Sequence, residues 1–204
     1  MAQDFVWQDG ERVMFIGDSL TEDPDGYTRL VPLLVTARYP ERAIDYRPRG
    51  VGGNRIGDLL ERINRDVFDN DPPPSWIGVS IGLNDVQHES SGTPPGRFRD
   101  SYEALLLRLE ETKAKIMCFT TTVLSEELDN AQNAALEPYN TAIRDLAFAH
   151  GADVADMHTA FQEAIRNAQA HNPGIRFTTD GEHLTDYGRY LMSLVLLRAL
   201  HLSP

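Results

Sequence analysis

Short β-rich runs alternate with longer amphipathic segments along the whole chain, and this alternation restricts the fold more than any single residue does. Arg12–Ile16, Ala43–Tyr46, Trp76–Ile81, Lys115–Val123 and Asp153–Met157 read as strands. Tyr27–Tyr39 puts Leu30, Leu33, Leu34 and Ala37 on one helical face, and Ile56, Leu59, Leu60, Ile63 and Val67 repeat at the same spacing. Further helices are expected over Phe98–Thr112, Ala131–Ala149, Thr159–Ala170 and Tyr187–Leu200. Strands separated by helices pair in parallel, and both faces of such a sheet must be covered. Right-handed crossovers then give a three-layer, doubly wound α/β sandwich around a five-stranded parallel sheet, of the flavodoxin-like type. There is no repeat, low-complexity tract or linker, so residues 1–204 are expected to form one domain.

Composition removes several function classes. Lys and Arg number 19 against 31 Asp and Glu, a formal net charge of −12. Phosphate backbones and anionic membrane surfaces call for a basic face, so neither nucleic acid nor membrane is an expected partner. No apolar run is long enough to span a bilayer. The segment Met1–Arg12 has no basic leader, and the chain reads as cytoplasmic. One cysteine, Cys118, excludes an intramolecular disulfide and a cysteine-only zinc site; within Ile116–Phe119 it reads as a small core residue. No H-E-x-x-H or comparable cluster is present, so neither metal nor organic cofactor is expected.

In a doubly wound sheet, ligands sit at the carboxyl ends of the strands. That edge collects Gly17-Asp18-Ser19, Gly50 to Asn54, Gly82-Leu83-Asn84-Asp85, and Asp156 with His158; Thr179 to His183 can fold back to it. Each has a bland alternative. Ser19 could be a helix cap, Gly52 and Gly53 turn formers, Asn84 and Asp85 a capping pair, Asp180 the cap of the last helix and His183 a loop histidine. Together they supply the parts of acyl transfer. A serine hydroxyl needs a base, and a histidine serves near neutral pH when a carboxylate fixes its tautomer. Asp180-Gly181-Glu182-His183 holds both partners in one short turn. The N–H groups of Ser19 and Gly53 and the Asn84 side-chain amide are candidate donors to the oxyanion that forms.

Four blocks carry a resemblance. Gly17-Asp18-Ser19-Leu20-Thr21, Gly50-Val51-Gly52-Gly53-Asn54, Gly82-Leu83-Asn84-Asp85 and Asp180-Gly181-Glu182-His183 resemble, in order, the blocks of the GDSL, or SGNH-hydrolase, esterase family. The resemblance implies a catalytic triad of Ser19, Asp180 and His183, with an oxyanion hole from Ser19, Gly53 and Asn84. Two positions of the second block depart from the family: Gly52 stands where serine is common, and Pro48 where asparagine is common. The spacing is most similar to the short-chain and carbohydrate-ester branches.

The expected activity is therefore hydrolysis of short-chain, most simply acetyl, esters of polar alcohols such as sugars. The polar loop from His88 to Arg97 and the absence of spare apolar sequence at this edge agree with a short acyl group. A lysophospholipase or thioesterase with the same triad is the alternative, and a flavodoxin-like phosphate- or sugar-binding domain is the non-enzymatic one. The latter has no G-x-x-x-x-G-K-[ST] or G-x-G-x-x-G motif to support it. His158 is the rival base, with capping of the following helix as its bland reading. His88 is placed at the pocket rim, and His150, His171 and His201 are expected to be solvated. Self-association into a homo-oligomer stays open.

Overall fold

The computed structural model describes residues 5–87 and 92–202. Five strands, β1 (Arg12–Gly17), β2 (Asp45–Gly50), β3 (Trp76–Ser80), β4 (Lys115–Phe119) and β5 (Asp153–Ala155), form one parallel sheet in the order β2-β1-β3-β4-β5. The helices are α1 (Ser19–Glu22), α2 (Tyr27–Arg38), α3 (Ile56–Ile63), α4 (Leu83–Gln87), α5 (Pro95–Glu110), α6 (Ala131–Ala149), α7 (Met157–His171) and α8 (Asp186–Ala199). A π-helical segment, Asn64–Phe68, continues α3. This is the expected doubly wound α/β fold.

Side chains on a strand alternate between faces, and here each face has its own core. Val13 and Phe15 of β1 and Met117 and Phe119 of β4 join one apolar cluster with residues of α2, α7 and α8. Met14 and Ile16, and Ile116 and Cys118, join a second with residues of α3, α5 and α6. Cys118 is fully buried, as a small core residue would be. Trp7 closes the first cluster, edge-on to Phe15 and Trp76 at ring separations of 6.1 and 5.1 Å. Among the described residues, no helix is long and apolar enough to cross a membrane.

Two strands differ from expectation by four residues at one end, and the fifth stops at Ala155 because Met157 already belongs to α7. The second runs Asp45–Gly50, later in the chain than Ala43–Tyr46, and contains Pro48 and two arginines. It pairs only with β1, and an edge strand tolerates proline because one side of its backbone carries no ladder bonds. The fourth strand ends at Phe119, short of Val123. Past that point the Asn140 side-chain oxygen takes the Thr121 N–H at 2.8 Å, so a side chain replaces the ladder.

The order in which strands are added reverses at β1, whose neighbours are β2 and β3. Their carboxyl ends are in register, with Gly17 beside Gly50 on one side and Ser80 on the other. Three consecutive loops therefore leave the sheet side by side.

Candidate active site

Ser19 is the first residue of α1 and is partly exposed, while Asp18 before it is buried. The capping duty falls on Asp18, whose carboxylate accepts the Leu20 N–H at 3.1 Å. The bland reading of Ser19 as a cap is thereby removed, and its hydroxyl is left for other work. Burial pushes the Asp18 carboxyl up to about 7, with the nearby Asp85 charge adding to the effect.

The second loop is a tight turn, closed by the Asn54 N–H donating to the Val51 carbonyl at 3.2 Å. Gly53 adopts φ +75° there, a left-handed conformation that suits glycine. Gly50 lies so close to the α1 backbone at Thr21 and Glu22 that a β-carbon would collide with it. The Gly52 N–H donates to Glu22 Oε2 at 2.7 Å, so the loop is tied to the helix that carries Ser19. Among the described residues, no acceptor meets the Gly53 N–H.

Asn84 is buried on α4, and its Nδ2 donates one hydrogen to the Asn54 carbonyl at 3.1 Å. A primary amide has two such hydrogens, and among the described residues the second meets no acceptor. Asp85 beside it is buried and accepts the Ile56 N–H at 3.1 Å, joining this loop to the start of α3. Burial lifts its carboxyl to about 6.

Asp180 and His183 occupy a turn after α7. Asp180 Oδ1 accepts the N–H groups of Glu182 and His183 at 3.1 and 2.8 Å, and Oδ2 lies 2.7 Å from His183 Nδ1. A carboxylate only accepts, so the ring proton sits on Nδ1 and Nε2 is the free base. Burial acts to raise the Asp180 pKa, but the bonds from the His183 ring and the two N–H groups outweigh it and hold the carboxyl at about 2. In return the Asp180 bond raises the histidine above its usual range, helped by the charges of Glu182 and Asp18. The bland reading of Asp180 as a helix cap does not hold, since Thr185 caps α8.

Ser19 and His183 line one cleft of about 380 Å³, together with Leu20, Glu22, Asp23, Pro24, Leu184 and Arg189. A hydroxyl and a base with an oriented ring thus share one cleft, whose lining includes neither Gly53 nor Asn84; the glycine turn adjoins it through Glu22. This arrangement can carry out nucleophilic acyl transfer.

The rival histidines are occupied or elsewhere. His158 is buried; its Nδ1 donates to the Thr122 carbonyl at 2.7 Å and its Nε2 lies 3.0 Å from Gln162 Nε2. It does not cap α7; Asp156 does, accepting the Thr159 N–H. His150 is not solvated as expected, but packs with its Nδ1 2.7 Å from Glu110 Oε1. His88, expected at the rim, lies outside the described residues, as do Ser90 and Ser91 of the polar loop. Among the described residues, the three-residue grouping suited to a cation is Asp180, Glu182 and His183, which coincides with the acid–base turn.

Sequence reasoning missed Glu126. It is buried, and its Oε1 accepts the N–H groups of Phe177 and Thr178 at 2.7 and 2.8 Å and the Thr178 hydroxyl at 3.1 Å. Thr178 bridges to Leu184, so Glu126 holds one end of the turn with Asp180 and His183 directly and the other through that bridge. Its only signal in the sequence is a glutamate shortly after a strand, which is too common to single out.

Comparison with known proteins gives the chain its relatives. Residues 15–189 match the model of the GDSL-like lipase/acylhydrolase family. An acetylxylan esterase of Geobacillus stearothermophilus is 29% identical over 178 residues, 77% of this chain and 80% of that protein. The crystal structure of an alpha/beta hydrolase enzyme from the metagenome of Lake Arreo, Spain, superposes with a TM-score of 0.86 at 24% identity, covering 97% of this chain and 98% of that one. That of an acetyl xylan esterase gives 0.83 at 27% identity, covering 92% and 98%.

Proposed function

The chain belongs to the GDSL-like lipase/acylhydrolase family and is a serine hydrolase of ester bonds, and from that premise we propose that it removes acetyl groups from acetylated carbohydrates, as one catalytic domain. The observation that carries the reading is the cleft shared by Ser19 and His183, with the ring of His183 held by Asp180.

In the proposed reaction, His183 Nε2 takes the Ser19 Oγ proton as Oγ attacks the ester carbonyl carbon. Negative charge moves to the carbonyl oxygen, where the N–H groups of Ser19 and Gly53 and the Asn84 amide receive it. Collapse of this intermediate expels the alcohol, which takes the proton from His183 and leaves an acetyl ester on Ser19. Water, deprotonated by the same histidine, then releases acetate and restores the hydroxyl. Asp180 stabilises the charged ring in both halves.

Three observations support a short acyl group on a polar alcohol. The cleft is small, and Glu22, Asp23 and Arg189 line it beside the apolar Leu20, Pro24 and Leu184. The net charge of −12 disfavours anionic esters such as acyl-coenzyme A or phospholipid. The acetylxylan esterase relatives act on the class of ester their names state.

A fluorophosphonate probe tests the nucleophile: labelling on Ser19, lost in Ser19→Ala together with esterase activity, is the expected result. A folded Ser19→Ala that keeps most of its activity overturns the reading. Relative kcat/KM on matched esters from acetate to laurate, and on acetylated xylo-oligosaccharides, tests the substrate. A maximum at octanoate or beyond points to the lysophospholipase or thioesterase alternative.

A further inference from the structure

Arg62 lies on α3, outside all four sequence blocks, yet its guanidinium reaches three loop ends at once. Nε donates to the Asn54 side-chain oxygen at 2.7 Å, Nη1 to the Arg49 carbonyl at 3.0 Å and Nη2 to the Gly17 carbonyl at 2.8 Å. Nη1 also pairs with the Asp66 carboxylate. The side chain is only 11% exposed, so these bonds stand in for water. Gly17 ends β1 two residues before Ser19, Arg49 lies at the end of β2, and Asn54 follows Gly53. The Asn54 carbonyl in turn accepts from Asn84 Nδ2. One planar cation therefore joins the strand that presents Ser19, the turn that presents Gly53 and, through Asn54, the Asn84 amide.

We propose that Arg62 is a positioning residue that sets the geometry of the oxyanion hole. The inference rests on the reading of Ser19, Gly53 and Asn84 given above. Arginine suits the task because its donors lie in a rigid plane and point in several directions. A lysine ammonium carries the same charge on one nitrogen and cannot span three separated oxygens. Arg62 acts on groups that must meet the transition-state oxygen, so its removal lowers kcat and leaves ground-state binding nearly unchanged.

The surroundings allow Arg62 to be removed without stranding buried groups. Asp66 keeps Arg65, whose Nε lies 2.7 Å away. The Gly17 carbonyl still accepts the Val51 N–H at 3.1 Å. Arg49 and Asn54 are only partly buried.

Steady-state kinetics of Arg62→Ala, Arg62→Lys and Asn54→Ala on an acetate ester, with Tm and the affinity of a trifluoromethyl ketone measured alongside, test the proposal. Arg62→Ala is expected to lower kcat by about 10–10² with KM within about twofold, and to weaken the ketone by the same factor as kcat. Arg62→Lys should restore Tm, because it returns a charge to Asp66, but not kcat. Lysine restoring both, or a folded Arg62→Ala with wild-type kcat, overturns the inference. If Arg62→Ala does not fold, Asn54→Ala decides: it keeps the carbonyl that Asn84 needs and loses only the Arg62 acceptor, so a kcat-selective loss supports the proposal and an unchanged kcat overturns it. Ser19→Ala run in parallel separates the two levels. An active Ser19→Ala removes the site reading altogether, whereas an inactive one beside a fully active Arg62→Ala removes this inference alone.

Discussion

Asp180 grips His183 twice, accepting its backbone N–H at 2.8 Å through Oδ1 and its ring Nδ1–H at 2.7 Å through Oδ2. The first bond shapes the turn and the second sets the tautomer. Asp180→Asn can keep the first, but its amide group offers a hydrogen to Nδ1 and drives the ring proton to Nε2, where it blocks the base. kcat should fall by roughly 10²–10⁴ with Tm close to wild type. Rate measurements within a fewfold of wild type would show that the tautomer does not matter.

The pH profile follows from the same pair. In the proposed mechanism a neutral His183 accepts the Ser19 proton, so kcat/KM should rise with pH and level off above the histidine pKa. Asp180 raises that pKa over the ordinary value, so the inflection belongs above about 6.5. Glu182 Oε1 lies 3.6 Å from Nδ1 and adds to the shift. Glu182→Gln should move the inflection to lower pH while the plateau stays within about twofold. An inflection that does not move would assign Glu182 no electrostatic part.

Asn84→Ala removes the amide expected to face the oxyanion. kcat should fall by roughly 10²–10³ and KM should change much less. The Asn54 carbonyl loses its donor as well, so a modest drop in Tm is expected alongside. A loss confined to KM would mark Asn84 as a binding residue only.

Asp18 makes stability depend on pH. Its folded carboxyl sits near 7 and its unfolded one near 4, so the native state holds the extra proton between these values. The associated stability is full below about pH 4 and is lost as pH rises through about 7. Asp18→Asn keeps the acceptor for the Leu20 N–H and never ionises. It should raise Tm at pH 8 by several degrees, at about 2–4 °C per kcal/mol, and change Tm little at pH 4. Equal shifts at both pH values would locate the cost of burial elsewhere.

How far the site could be read from the chain depended on where its signals lay. Ser19, Asn84 and the Asp180–His183 pair sit in compact blocks, and the turn residues that shape them are neighbours in sequence. The central strands were legible because burial on both faces requires continuous apolar runs, as in β1 and β3. The edge strand β2 was misplaced because pairing on one side needs no such run, and Asp45–Gly50 has almost none. Helices α1 and α4 are too short to show periodicity. Glu126 and Arg62 escaped for a different reason: each acts through backbone groups from 13 to 52 residues away, and such partners leave no local pattern.

The strand order has a consequence for how the activity arises during synthesis. All five strands are present once the chain reaches Ala155, and with them Ser19, the Gly53 turn and Asn84. Asp180 and His183 come later, on a turn that must dock against Glu126 and Leu124. Because a chain emerges from its N-terminus first, the proposed nucleophile and anion cradle are synthesised before the proposed base. On the proposed reading, hydrolysis waits for this loop and for α8 behind it, whose Met192, Leu196 and Leu197 complete the first core.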